Sequence, residues 1–120
     1  MYIIVVGCGK VGLQLLRFLS NERHDLVAVD LKQRALDELG PEFPGMTLVG
    51  NGIDTDLLEE AGIERADAVV AVTGDDNINL VIGQIARTKY DVPKALARLF
   101  DLGSREPFAD LGIHALSPAV

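Results

Sequence analysis

Aromatic side chains make up only 5% of this sequence, so its core must be aliphatic; apolar residues reach 48% through Val, Ile, Leu and Ala. Nothing in it resembles a basic cluster. With a net charge of -7 and no run of more than two or three Lys or Arg, it is a poor partner for a nucleic-acid backbone. A single cysteine, Cys8, excludes an internal disulfide and agrees with a reducing, cytoplasmic setting. No apolar run approaches the roughly 18–20 residues of a membrane helix, which argues against direct membrane insertion. The N-terminus enters a strand pattern at once, without a basic n-region or a cleavage site, so no signal peptide is expected. A length of 120 residues fits one domain, taken as residues 1–120.

What is present is an alternation of short β-branched runs with longer stretches of helical period. Tyr2–Val6 is an apolar run ended by glycine and reads as a buried strand. A helix is predicted over Lys10–Ser20, a turn over Asn21–His24, and a second strand over Asp25–Asp30. Next come a short helix over Lys32–Leu39, stopped by Gly40-Pro41, and a strand over Met46–Val49. Thr55–Ala61 reads as a helix capped by Asp54 or Thr55, Ala68–Val72 as a strand, and Asn77–Lys89 as a helix. Pro93 precedes a fifth strand over Ala95–Leu99. A helix over Ser104–Leu111 and a small strand near Ala115-Leu116 complete the pattern. Strict β-α-β alternation implies an α/β fold: a doubly wound, Rossmann-type parallel sheet with helices on both faces.

Between the first strand and first helix lies Gly7-Cys8-Gly9-Lys10-Val11-Gly12. Three glycines at this spacing are a weak signal alone, but a strand before and a helix after are the context a phosphate-binding turn needs. The first glycine permits the tight turn, the second lets a pyrophosphate approach the backbone, and the third lets helix and strand pack closely. The helix start then offers unpaired N–H groups and its positive dipole end. Asp30 ends the second strand, where a carboxylate can accept from ribose hydroxyls and repel a 2′-phosphate, favouring NAD over NADP despite nearby Lys32 and Arg34. Capping the following helix is the plainer role for Asp30, and the two are compatible. NAD(H) and ATP or ADP present the same ribose, so Asp30 does not choose among them.

Lys10 either reaches a phosphate from within the turn or is simply solvated. Cys8, beside a helix start, is open to a lowered pKa, but a small side chain suited to a crowded turn is the expected role. Thr73 and Gly74 end the fourth strand on the ligand edge and are expected to line the adenosine side of the crevice. Asn51 is placed there by the same reasoning. Asn77 is either a ligand neighbour or the cap of its helix. Tyr90-x-x-x-Lys94 has the spacing of a dehydrogenase catalytic pair, but Pro93 breaks the helix that would align the two residues. His24 and His114 fall in predicted turns before strands and read as surface residues without a carboxylate partner. No metal-ligand spacing appears, no substrate domain is visible, and no enzyme activity is expected.

The motifs resemble the TrkA-N or RCK (KTN) domain family. The resemblance rests on YIIVVGCGKVGLQLLRFL with VAVD, on VGNGIDTDLLEEAGIERADAVVAVTGDDNINL, on KALARLFD and on the closing LGIHALSP. It implies a cytoplasmic NAD(H)- or ATP/ADP-binding regulatory domain that assembles as a dimer or higher ring and gates a membrane potassium transporter or channel. Gly7 to Gly12, Asp30, Thr73, Gly74 and Arg98 match the family's nucleotide contacts. Arg98, in the strand ARLF, serves equally well as a strand-edge salt-bridge partner. Asn51 departs from the aspartate many members carry there. In longer members the segment after this point leads to a dimerisation helix and a second lobe, so the chain is either a piece or a short member. Two rival readings stand beside it. A detached cofactor domain of an NAD-dependent oxidoreductase would require a catalytic domain downstream. A redox-sensing transcriptional regulator would require a basic DNA-binding segment.

Overall fold

The computed structural model describes residues 1–101 and 112–116. Its six strands form one parallel sheet: β1 (Tyr2–Val6), β2 (Asp25–Asp30), β3 (Met46–Val49), β4 (Ala68–Ala71), β5 (Lys94–Arg98) and β6 (Ile113–Leu116). Their order is β3-β2-β1-β4-β5-β6. The chain therefore winds outward from β1 to β3, crosses back beside β1, and winds outward the other way. Where the order reverses, between β1 and β4, the loops after the two strands part and leave a crevice at the C-terminal edge.

Alternation along each strand sorts the core into two layers. Ile4, Val6, Val27, Val29 and Val69 join Leu58 of α3 (Thr55–Glu60) and Leu80 and Ile82 of α4 (Asp76–Gln84) on one face. Ile3, Val5, Ala28 and Val70 join Leu16 of α1 (Lys10–Leu19) and Leu36 of α2 (Gln33–Asp37) on the other. Both faces being covered, the strands read as continuous apolar runs.

Element boundaries depart from the pattern-based expectation mostly by one or two residues. A 3-10 turn over Ile63–Arg65 had no periodic signal and follows Gly62, whose φ of 91° ends α3. The predicted helix over Asn77–Lys89 begins one residue earlier and loosens into a π-turn over Ile85–Lys89. There the Thr88 hydroxyl takes the Gln84 carbonyl, and Asp91, with φ of 54°, ends the helix. Asp91 fills the left-handed position that glycine usually holds, and the Val92 amide bonds back to the Ala86 carbonyl at 2.9 Å. The expected helix over Ser104–Leu111 lies outside the described residues.

Candidate functional site

At the sheet's C-terminal edge, around the β1–β4 reversal, a crevice of about 800 Å³ opens, within the range of small-molecule sites. Gly7, Gly9, Lys10, Val11, Asp30, Asn51, Thr73, Gly74 and Arg98 all line it. The structure thus brings together nine of the eleven residues that the sequence singles out.

Cys8 and Gly12 are the exceptions, each for a steric reason. Cys8 turns its side chain into the core, 1% exposed, with Sγ against the Val29 carbonyl at 3.8 Å. Burial, with the Asp30 charge beside it, pushes the thiol up to about 12, so it is the neutral, small apolar residue and not an activated thiolate. Gly12 is packed against the turn itself: a Cβ there would collide with the Gly7 carbonyl oxygen. Gly7 has φ of 104°, and a Cβ on it would lie 2.7 Å from the Thr73 nitrogen, so the turn and the end of β4 meet only through glycine. Gly9 is different. A Cβ on it would meet no protein atom within 4 Å.

Helix α1 starts at this turn without a side-chain cap and without an acid in its first turn. Asp54 and Asp75, by contrast, cap α3 and α4 with their carboxylates. Asp75, not Asn77, is the cap of α4, accepting the Asn77 and Ile78 amides at 2.8 and 3.1 Å. The first N–H groups of α1 therefore face the crevice with the helix dipole behind them.

Asp30 faces the turn because its register on β2 puts it on the α1 side. One carboxylate oxygen accepts the Cys8 amide at 2.7 Å and the other the Lys32 amide at 2.9 Å. It thus ties the glycine turn to the segment that leads into α2, but it does not cap that helix, whose N-cap is Lys32 with no side-chain cap. Each oxygen keeps a second lone pair. Next to it, Leu31 lies 66% exposed on the rim. Asn51 folds its side chain back to accept the Ile53 amide at 3.1 Å.

Arg98 forms no ion pair among the described residues. Its Nη2 donates to the Thr73 carbonyl at 2.8 Å, its guanidinium lies 5.0 Å from the Phe100 ring centre, and its Nε is buried with no hydrogen-bond partner among the described residues. Sequence reasoning missed Asn79, which is fully buried and bonded to Thr73 and to the Arg98 carbonyl. Helical spacing places Asn79 beside Leu80 and Ile82, an apolar neighbourhood where an amide stands out, and that was the available signal.

The remaining candidates fall elsewhere. Tyr90 follows the π-turn while Lys94 opens β5, so they share no helix face. The Tyr90 hydroxyl donates to Glu59 at 2.7 Å, which, with desolvation, raises it to about 12, the wrong direction for a catalytic base. His24 does have a carboxylate neighbour, Glu22 Oε1 at 3.4 Å, but sits at the opposite edge, before β2. His114 lies within β6, not in a turn. No cluster of three metal-ligating side chains occurs among the described residues, and no helix there is long and apolar enough to cross a membrane.

Several known proteins share this architecture and sequence. The "Trk system potassium uptake protein TrkA" of Streptomyces coelicolor is 37% identical over 117 residues, covering 98% of this chain and 52% of that protein. The TrkA homolog of Methanothermobacter thermautotrophicus is 36% identical over 119 residues, covering 98% and 55%. The chain thus spans about half the length of these curated relatives. Among solved structures, the TrkA-N domain of the Escherichia coli inner membrane protein ybaL superposes with a TM-score of 0.86 at 21% identity, covering 97% of this chain and 86% of that one. The Shewanella denitrificans Kef CTD in its AMP-bound form gives 0.80 at 23%, covering 97% and 72%. The NAD-bound GsuK channel gives 0.81 at 17%, covering 96% and 21%. The TrkA-N domain model matches residues 3–118. With a match across nearly its whole length, this protein belongs to the TrkA-N domain family.

Proposed function

We propose that this chain is the adenine-nucleotide-binding regulatory domain of a potassium uptake system or potassium channel, with NAD(H) or ATP/ADP as its ligand. The observation that carries the ligand class is the uncapped start of α1 beneath Gly9, whose missing side chain answers to no neighbour in the protein. Backbone N–H groups there suit phosphate oxygens. The free lone pairs of Asp30 suit the adenosine ribose, and Leu31 and Ile78 offer apolar faces to a planar base. Along the sheet edge, Asp30 on β2 and Arg98 on β5 are separated by three strand spacings, roughly 14 Å, enough for more than a mononucleotide. A Kef domain holds AMP and a GsuK channel holds NAD on this same fold, which supports the adenine class without choosing within it.

The chemistry offered is binding. Lys10 and Lys32 line the crevice as cations, and Asp30 disfavours a 2′-phosphate. Regulation then follows from differential affinity: a ligand that prefers one packing of the domain on its neighbours biases a partner membrane protein by that difference. Relatives named as Trk system potassium uptake proteins support a potassium transporter as that partner; a cytoplasmic position at the membrane's inner face and assembly as a dimer or ring are part of the same proposal. Calorimetric titration with AMP, ADP, ATP, NAD and NADH tests the first step. Saturable heat with at least one is expected, and flat traces with all five would overturn the proposal.

A further inference from the structure

The pairing of β4 with β5 ends at Ala71 and Ala97, so the next backbone groups of those strands, at Thr73 and Arg98, have run out of ladder. The side chain of Asn79, from α4, fills that gap. Its Oδ1 accepts the Thr73 N–H at 2.9 Å and the Thr73 hydroxyl at 2.6 Å. Its Nδ2 donates to the Arg98 carbonyl at 2.8 Å and to the Thr73 carbonyl at 3.1 Å. Both lone pairs and both protons are used, the most a carboxamide can make. The amide has one orientation only: reversed, it would set donors against an N–H and oxygen against two carbonyls.

Asn79 is 0% exposed and is the one buried polar side chain among the described core residues. An amide in an aliphatic layer is costly unless fully bonded, and here its bonds satisfy the Thr73 and Arg98 backbone groups that a leucine would leave unpaired. What the amide adds is a fixed link between two residues that line the crevice, Thr73 and Arg98, while it does not line the crevice itself. The link closes on itself, because the Arg98 guanidinium also donates to the Thr73 carbonyl. Thr73 carries the wall that leads into Gly74, and Arg98 carries the crevice's far cation.

From this we infer that Asn79 is a positioning residue for the nucleotide site, setting the place of Arg98, through its carbonyl and through the Thr73 carbonyl that its guanidinium bonds, so that Arg98 meets the ligand. The inference rests on the nucleotide reading above. It acts through Arg98 and independently of Asp30, which stands on the other side of the glycine turn. Losing Asn79 therefore costs nothing further once Arg98 is gone, whereas its loss adds to that of Asp30.

The experiment is a pair of double-mutant cycles read by calorimetry with ADP and NADH, with circular dichroism as the check on folding. Failure of wild-type protein to bind any of AMP, ADP, ATP, NAD and NADH would overturn the nucleotide reading and this inference with it; a ligand among the five that does bind replaces ADP or NADH in the cycles. Given wild-type binding, Asn79→Asp, which keeps the shape and removes the donors, is expected to weaken the tighter ligand roughly tenfold, the equivalent of one lost hydrogen bond. Asn79→Asp combined with Arg98→Leu is expected to bind no more weakly than Arg98→Leu alone. Combined with Asp30→Ala, the losses are expected to multiply. Unchanged affinity in Asn79→Asp, or losses that multiply in the Arg98 cycle, would overturn the inference while leaving the nucleotide reading intact. Should Asn79→Asp fail to fold, the side-chain amide resonances of Asn79 in wild-type protein decide. A shift on saturation with ligand, absent from the Arg98→Leu protein, supports positioning; resonances indifferent to ligand refute it.

Discussion

Gly9 and Gly12 stand three residues apart in one turn, yet different things forbid a side chain at each. At Gly12 the obstacle is the protein: a Cβ would strike the Gly7 carbonyl, a backbone atom that cannot rotate away. Gly12→Ala is therefore expected to lose about 2 kcal/mol or more of stability, seen as a lowered midpoint in urea denaturation. At Gly9 the protein leaves open space. Gly9→Ala should unfold within about 0.5 kcal/mol of wild type while binding adenine nucleotides distinctly more weakly. If both variants change stability alike, the turn is merely structural. Cys8 supplies a second residue-scale test. Buried and held as a thiol up to about pH 12, it should resist iodoacetamide in native protein at pH 8 and alkylate readily in urea, as intact mass will show.

At the scale of one element, α4 gathers more of the site than its length suggests. Asp75 caps it, Asn79 joins β4 to β5, and the Asp76 carboxylate accepts the amides of Phe100 at 2.9 Å and Asp101 at 2.8 Å. Those backbone hydrogen bonds hold Asp76 below the usual carboxylate range, helped by the Arg98 charge. Because its folded pKa is the lower one, the tether is fully present above the ordinary aspartate range and is lost as pH falls through the depressed value. Amide exchange at Phe100 and Asp101 should accelerate on acidification, relative to base-catalysed expectation, and Asp76→Asn should remove that dependence. Exchange that keeps its pH response in the variant would assign the tether elsewhere. At the other end of α4 the helix stops at Asp91, so Tyr90, bonded to Glu59, and Lys94, which opens β5, share no helix face.

For the molecule as a whole, the strand order does the assembling. Residues far apart in sequence, from Gly7 to Arg98, converge because β2, β1, β4 and β5 are neighbours and all present their C-terminal ends to the same edge. A ligand that bridges those strand ends binds the folded state alone and must raise its stability by mass action. At a hundredfold excess over Kd the gain is about 2.7 kcal/mol, measurable as a rise in Tm with ADP or NADH. NADPH should produce a smaller rise, since Asp30 repels its 2′-phosphate. An equal response to both would count against ribose recognition by that carboxylate.

Much of this was legible from one dimension. Apolar runs of four to six residues closed by Gly or Asp marked the strands, and their alternation with helical period dictated parallel pairing, because parallel neighbours need crossovers. The glycine turn and Asp30 could be read because their roles depend on local geometry, a strand before and a helix after. Other features had no such local cause. Asp30 bonding to the Cys8 amide, Asn79 filling the end of a ladder, and Asp75 rather than Asn77 capping α4 depend on which backbone groups are left unpaired when the sheet closes. Sequence periodicity determined which residues turn inward, whereas only the packed sheet decided which polar groups those residues must satisfy.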